Sequence, residues 1–129
     1  MRVGIGHDTH RLEPGHPLFI GGVEVPSDRG ALGHSDADVL LHAVTDALLG
    51  SAALGDIGGW FPDTDPANQD RDSAELLVAC YQKVCQQGYQ LVNADCVVRA
   101  QQPRIGPHRE AICERIASLL AVDTGCISV

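Results

Sequence analysis

The sequence predicts an α+β domain. Three stretches with helical apolar spacing are interleaved with short apolar runs bounded by turn residues. At 129 residues the chain has the length of one domain, 1–129. A hydrophobic fraction of 44% supports a core, and an aromatic share of only 4% makes that core aliphatic.

Residues 1–7 read as an opening strand. Residues 17–25 read as a hairpin, with Leu18-Phe19-Ile20 and Val23-Glu24-Val25 either side of Gly21-Gly22. Residues 26–33 are rich in turn formers and read as a loop. The first helix is expected to start at Ser35 as N-cap, with Asp38 three residues on completing a capping box. Val39, Ala43, Ala47 and Leu48 would form its apolar stripe. Residues 55–66 hold paired glycines, two prolines and closely spaced Asp, and read as a loop. A second helix is expected from about Ser73, with Asp72 and Glu75 as its capping box, Leu76, Leu77, Cys80 and Val84 as its stripe, and Gly88 as its stop. A strand lies within 89–100. Pro107 suits the first turn of a third helix, whose core residues would be Ile112, Ile116, Leu119 and Leu120. Ile127 and Val129 look like the start of a strand, so the natural chain is expected to continue past Val129.

A net charge of −8 with no Lys/Arg run argues against a nucleic-acid partner. No apolar stretch approaches 18 residues, so no membrane span is expected. The N-terminus has no secretory pattern, and a cytoplasmic location is expected. Five cysteines, an odd number without a C-x-x-C pair, read as small buried hydrophobes in a reducing compartment.

The chemistry concentrates at Asp8, His10 and His42. On a strand, Asp8 and His10 point to one face and His7 to the other. His42 comes from the first helix. One carboxylate and two imidazoles leave a fourth position open, as catalytic zinc sites do; the plain reading is hydrogen-bonded surface histidines. Asp38 and Asp46 lie one turn either side of His42, and either could orient its ring from behind. His34 and Ser35, at a helix N-terminus, suit an anion or a plain cap. Asp56-Ile57-Gly58 and residues 61–65 could meet polyol hydroxyls or form a solvated acidic loop. Residues 100–106 could read a flat polar ring edge, with Arg104 on phosphate, or form a turn. A chain at −8 repels a polyanion unless cations intervene.

Several blocks carry a specific resemblance: Gly6-His7-Asp8-Thr9-His10, the run 33–50 beginning Gly33-His34-Ser35-Asp36-Ala37-Asp38, then Gly55-Asp56-Ile57-Gly58 and Phe61-Pro62-Asp63-Thr64-Asp65-Pro66. In order and spacing the chain resembles the 2-C-methyl-D-erythritol 2,4-cyclodiphosphate synthase family. The resemblance implies a four-stranded mixed sheet with helices packed on one face. It also implies a homotrimer with active sites between neighbouring subunits. The implied reaction converts 4-diphosphocytidyl-2-C-methyl-D-erythritol 2-phosphate to the 2,4-cyclodiphosphate and CMP, in non-mevalonate isoprenoid precursor synthesis. The substrate's 2-phosphate attacks the β-phosphorus, so no side chain need act as nucleophile.

By the same resemblance, Asp8, His10 and His42 hold zinc, with a substrate phosphate oxygen in the open position, and magnesium or manganese occupies a second, substrate-bridged site. His34 stabilises the transition state. Substrate contacts fall on Asp8, Thr9, His10, His34 and Ser35, on Asp56, Ile57 and Gly58, and on Phe61, Pro62, Asp63, Thr64 and Asp65. The cytidine pocket takes Ala100, Gln101, Gln102, Pro103, Arg104, Ile105 and Gly106. The family continues with a Thr-Thr-Glu stretch, a Gly-rich loop and a final helix that supply a second transition-state hydroxyl and the second cation's carboxylate. The domain 1–129 is expected to lack that segment, and a chain truly ending there to be inactive. Two other classes remain open at this point: a metal- or nucleotide-binding module without turnover, and a zinc phosphoesterase with linear products.

Overall fold

A computed structural model describes residues 1–33 and 35–129. The hairpin expected at 17–25 forms: β2 (Phe19–Ile20) pairs antiparallel with β3 (Val23–Glu24), and the Val25 amide donates to the Leu18 carbonyl at 2.8 Å. Gly21 and Gly22 turn it, at φ +63° and +76°, where a side chain would be strained. A Cβ on Gly21 would also fall 2.4 Å from Ile112 Cγ2, because the turn presses on the core.

A second antiparallel ladder takes up part of the expected loop. β1 (Leu12–Pro14) pairs antiparallel with β4 (Arg29–Ala31), inside 26–33, and the Leu32 amide extends the ladder to the Arg11 carbonyl at 2.8 Å. Strands of three residues are too short to show a period, Arg-Gly-Ala does not alternate apolar with polar, and Pro14 is tolerated only at a strand's edge.

Helix α1 spans Val39–Ser51 and starts at Asp38, three residues after the expected cap. An N-cap needs an extended backbone. Asp38 has one, at φ −72° and ψ 95°, whereas Ser35 sits at φ +60°. The buried face of α1 is Leu40, Leu41, Val44, Thr45, Leu48 and Leu49, so of the predicted stripe only Leu48 is buried. Val39, Ala43 and Ala47 are half-buried. The opening segment covers the Ala43/Ala47 side with backbone: a Cβ on Gly4 would lie 1.9 Å from the Ala47 carbonyl oxygen, and one on Gly6 1.8 Å from that of Ala43.

The expected loop 55–66 contains a single helical turn, α2 (Ile57–Trp60), capped by Asp56. Helix α3 (Ser73–Gln86) has Asp72 as N-cap and buries Leu76, Leu77, Cys80 and Val84 as expected. Helix α4 (Arg109–Leu120) follows a 3₁₀ turn holding Pro107 and buries Ile112, Ile116, Ala117 and Leu120; Leu119 is half-buried. α1 packs on α3, and α3 on α4. Burying each large aliphatic side chain of these faces contributes about 1.5–3 kcal/mol.

The expected four-stranded sheet is absent among the described residues, which instead hold three two-stranded ladders. The third is parallel, between β5 (Ala94–Asp95) and β6 (Ile127–Ser128). Residues 1–7 join no ladder, which corrects the opening strand. Residues 1–6 and 89–97 flank a groove of about 630 Å³ floored by Leu40, Val44, Leu48 and Val84. Strands pair only at about 4.8 Å separation, so these two edges exchange no hydrogen bonds across it. Val3 and Ile5 are accordingly 88% and 92% exposed. Among the described residues, no helix is long and apolar enough to cross a membrane. All five cysteines are free; Cys80 is buried, Cys85 is exposed, and the other three lie between. The buried-hydrophobe reading therefore holds in full for Cys80 and fails for Cys85.

Candidate metal centre

Exposure alternates along the end of the opening segment: Gly6, Asp8 and His10 are half-buried, while His7 and Thr9 are exposed. This is the period-two pattern of an extended chain lying on a surface, and it aims Asp8 and His10 inward together. His42, in the first turns of α1, meets them from below. His10 Nε2 lies 2.9 Å from Asp8 Oδ2, His42 Nδ1 lies 3.1 Å from the same oxygen, and the two ring nitrogens are 3.4 Å apart. All three donor atoms fall within 4.8 Å of one another, the one such cluster found among the described residues.

The outer hydrogen bonds decide what these atoms can do. His10 Nδ1 lies 3.2 Å from the Leu32 carbonyl, which can only accept, so Nδ1 carries the hydrogen and the Nε2 lone pair faces inward. The carbonyl belongs to the residue after β4, so the unpredicted β1–β4 ladder is what orients His10. His42 turns Nδ1 inward and Nε2 away. With a neutral His10 ring, its Nε2 lone pair and the Asp8 carboxylate oxygen converge with no hydrogen between them, and His42 Nδ1 faces the same point. A nitrogen lone pair 2.9 Å from a carboxylate oxygen is repelled by it unless a cation sits between them. Tetrahedral zinc with ligands at about 2.0–2.1 Å requires ligand atoms about 3.3–3.4 Å apart. Two edges of the observed triangle, 2.9 and 3.1 Å, are a few tenths of an ångström tighter and the third, 3.4 Å, matches, so this donor set fits a divalent cation.

Neither acid flanking His42 orients it, contrary to expectation. Asp38 is fully buried. Its Oδ1 accepts from the amides of Gly21, Leu40 and Leu41 at 2.9, 3.2 and 3.0 Å, and its Oδ2 from that of Gly22 at 2.6 Å. Burial pushes its carboxyl above the ordinary carboxylate value, and the amide donors oppose that shift. Asp46 Oδ1 accepts from the Ile57 amide at 2.9 Å and ties α2 to α1.

A model of the YgbB family matches residues 1–129 in full. The chain belongs to the YgbB family. The 2-C-methyl-D-erythritol 2,4-cyclodiphosphate synthase of Moorella thermoacetica is 56% identical over 129 residues, all of this chain and 79% of that one. A solved structure of a 2C-methyl-D-erythritol-2,4-cyclodiphosphate synthase aligns with a TM-score of 0.94 at 44% identity, over 98% of this chain and 85% of that one. Another, of the form bound to CDP, aligns with a TM-score of 0.93 at 42% identity over the same shares, 98% and 85%.

The other predicted residues of this YgbB chain differ in exposure and in local contacts. His34 lies outside the described residues. Ser35 is exposed, on a left-handed backbone, and is not a helix cap. Asp56 is exposed and accepts from the Gly59 amide at 2.8 Å, with Ile57 half-buried beside it and Gly58 exposed. Phe61 is half-buried under the Arg71 guanidinium, 4.9 Å above its ring, while Pro62, Asp63, Thr64 and Asp65 are exposed. Of residues 100–106 only Pro103 and Ile105 are half-buried, and no hydrogen bond among the described residues joins this segment to the triad.

Sequence reasoning missed two residues at the site. Ser73 Oγ lies 2.8 Å from His42 Nε2, and Asp36 accepts from the Ser73 hydroxyl. Ser73 carried only a helix-start signal, and Asp36 only its place in the 33–50 run. The spacing of 31 residues between His42 and Ser73 leaves no local pattern to read.

Proposed function

We propose that this chain is a cyclising phosphorus–oxygen lyase that converts 4-diphosphocytidyl-2-C-methyl-D-erythritol 2-phosphate to 2-C-methyl-D-erythritol 2,4-cyclodiphosphate and CMP, in non-mevalonate isoprenoid precursor synthesis. The observation that carries this reading is the convergent Asp8, His10 and His42 set within a chain 56% identical to an enzyme of that name. One P–O bond forms from the substrate's own 2-phosphate to the β-phosphorus, and the P–O bond to CMP breaks. No protein nucleophile is required, and the protein's work is alignment and charge neutralisation.

Zinc fits the mixed N/O set at Asp8, His10 and His42, and magnesium or manganese a second, substrate-bridged site; such cations offset phosphate charge and polarise phosphoryl oxygens. His34 serves as transition-state stabiliser, and Ser35 with Thr9 reaches phosphate. Asp56, Ile57 and Gly58, with residues 61–65, bind the erythritol hydroxyls, which suits their exposed carboxylates and amides. Residues 100–106 take the cytidine. The active site is shared by neighbouring subunits of a homotrimer, a reading that the family resemblance supports. The substrate is a small molecule, handled in the cytoplasm by a single domain, and no nucleic acid or membrane takes part.

The test is product analysis with the cytidine diphosphate substrate, in zinc plus magnesium or manganese, by nucleotide chromatography and phosphorus NMR. CMP and the cyclic diphosphate are expected together. Chelation or His42→Ala should lower the rate by about 100-fold or more. Substrate binding without CMP would refute turnover, and linear phosphates would identify a phosphoesterase.

A further inference from the structure

We infer that Ser73 and Asp36 are positioning residues for the ligand His42, joined to it in a hydrogen-bond relay with one allowed direction. The inference rests on the metal reading above. His42 presents Nδ1 to Asp8 and His10, and Nε2 to Ser73 Oγ at 2.8 Å. Ser73 is 1% exposed, so water does not compete for its hydroxyl. That hydroxyl has one hydrogen, and Asp36 Oδ1, an acceptor only, receives it. Ser73 Oγ must therefore accept from His42, which places the imidazole hydrogen on Nε2. The Nδ1 lone pair is left for the cation.

Asp36 is itself fixed from two directions. Its Oδ2 accepts from the Ser73 amide at 3.1 Å, and its Oδ1 from the Asp38 amide at 3.1 Å. The residues on either side of it, Ser35 and Ala37, hold left-handed backbone at φ +60° and +49°. The carboxylate thus clasps the start of α3 to the entry of α1, and the Ser73 hydroxyl transmits its position to the ring. The start of α3 does not need that hydroxyl for capping, because Asp72 accepts from the Ala74 amide at 2.8 Å. Asp38 is not available as a substitute, since backbone amides occupy both of its oxygens, and Asp46 makes no hydrogen bond to His42 among the described residues. Carboxylates behind metal-bound histidines fix tautomer and ring orientation and raise ligand basicity. Here a serine hydroxyl is interposed.

The test is Ser73→Ala, which removes the hydroxyl and keeps the Ser73 amide bond to Asp36. Long-range proton–nitrogen NMR on the metal-free full chain reads the His42 tautomer, and chelator competition reads zinc affinity. In the parent the hydrogen is expected on Nε2. In Ser73→Ala the tautomer preference should be lost and zinc should bind about 10–100-fold more weakly, with the circular dichroism spectrum unchanged. Asp36→Asn should weaken zinc in the same direction by a smaller factor. A parent tautomer with the hydrogen on Nδ1 overturns the relay, even if a variant fails to fold. A parent that binds zinc while Ser73→Ala binds it equally well also overturns the relay, and leaves the metal reading standing. A parent that binds no zinc overturns both.

Discussion

Replacing Asp38 with alanine strips one buried acceptor from four backbone amides at once. Leu40 and Leu41 lose their helix cap, which costs about 1 kcal/mol. Gly21 and Gly22, at the hairpin turn, lose the oxygens that reach them at 2.9 and 2.6 Å, and each amide left without a partner costs about 1–3 kcal/mol. Release of a charge that burial disfavours offsets part of this, leaving a net loss of about 3 kcal/mol. Against a domain stability of about 5–15 kcal/mol that is a large share. Urea titration followed by circular dichroism should show the midpoint falling by roughly 1–2 M, for a slope of about 2 kcal/mol/M. Asp38→Asn keeps one oxygen and should lose about half as much. An Asp38→Ala midpoint within about 0.25 M of the parent, about 0.5 kcal/mol at that slope, would refute the reasoning.

The pH dependence has a definite sign. Burial raises the folded-state pKa of Asp38, so in the weakly acidic range the folded state binds the proton more readily than the unfolded one. The associated stability is complete below the unfolded pKa and is lost as pH rises through the folded pKa. The gap between the parent and Asp38→Asn should therefore narrow as pH rises through that window. A gap that widens would mean that the amide donors outweigh burial.

Two further outcomes follow from packing. Gly6→Ala puts a Cβ 1.8 Å from the Ala43 carbonyl oxygen and should lift the opening segment off α1, costing about 1–3 kcal/mol and weakening zinc about tenfold. Melting curves and a zinc titration check it, and an unchanged zinc affinity would show that Asp8 and His10 are held independently of that contact. Burial pushes the Cys80 and Cys96 thiols up to about 11, so at pH 8 only about one in a thousand is thiolate. Iodoacetamide labelling mapped by peptide mass spectrometry should therefore mark exposed Cys85 first and leave Cys80 untouched until denaturant is added; prompt labelling of Cys80 in the native protein would contradict its burial.

What was legible in the sequence divides by range. α3 was readable because cap, stripe and stop agree locally: Asp72, then Leu76, Leu77, Cys80 and Val84, then Gly88; α4 was readable from Pro107 and its apolar period. The Gly21-Gly22 hairpin was readable for the same reason. α1 was misread at its start because Ser35 and Asp38 are both good caps in composition, and only backbone conformation separates them. Its buried face was misread because the opening segment covers Ala43 and Ala47 with glycine backbone, which no helical period reports. The strands of the β1–β4 ladder, three residues each, are too short to carry a readable period. At the site, the ligand atoms were recoverable from Asp8-x-His10 and the resemblance. The groups that set their tautomers, the Leu32 carbonyl and Ser73, were not recoverable, because both are contacts across tens of residues.

A chain with a net charge of −8 holding a substrate with several phosphate charges poses an electrostatic problem that the acids' own partners largely answer. Asp36, Asp38 and Asp46 all lie near His42, and each accepts from backbone amides. Asp56, Asp65 and Asp72 likewise cap the turns and helix that follow them. An amide at a helix start carries partial positive charge, so each pairing offsets part of the carboxylate's field before it reaches the site. Asp8 differs: its Oδ1 takes the neighbouring Thr9 amide at 2.9 Å, while its Oδ2 faces the two imidazole nitrogens. That oxygen lies 2.9 Å from His10 Nε2 and 3.1 Å from His42 Nδ1, where a cation would sit. The same pairings that blunt the acidic field also join the start of α1 to the hairpin turn and to α3, so the electrostatic and mechanical requirements of the site are met by one set of bonds.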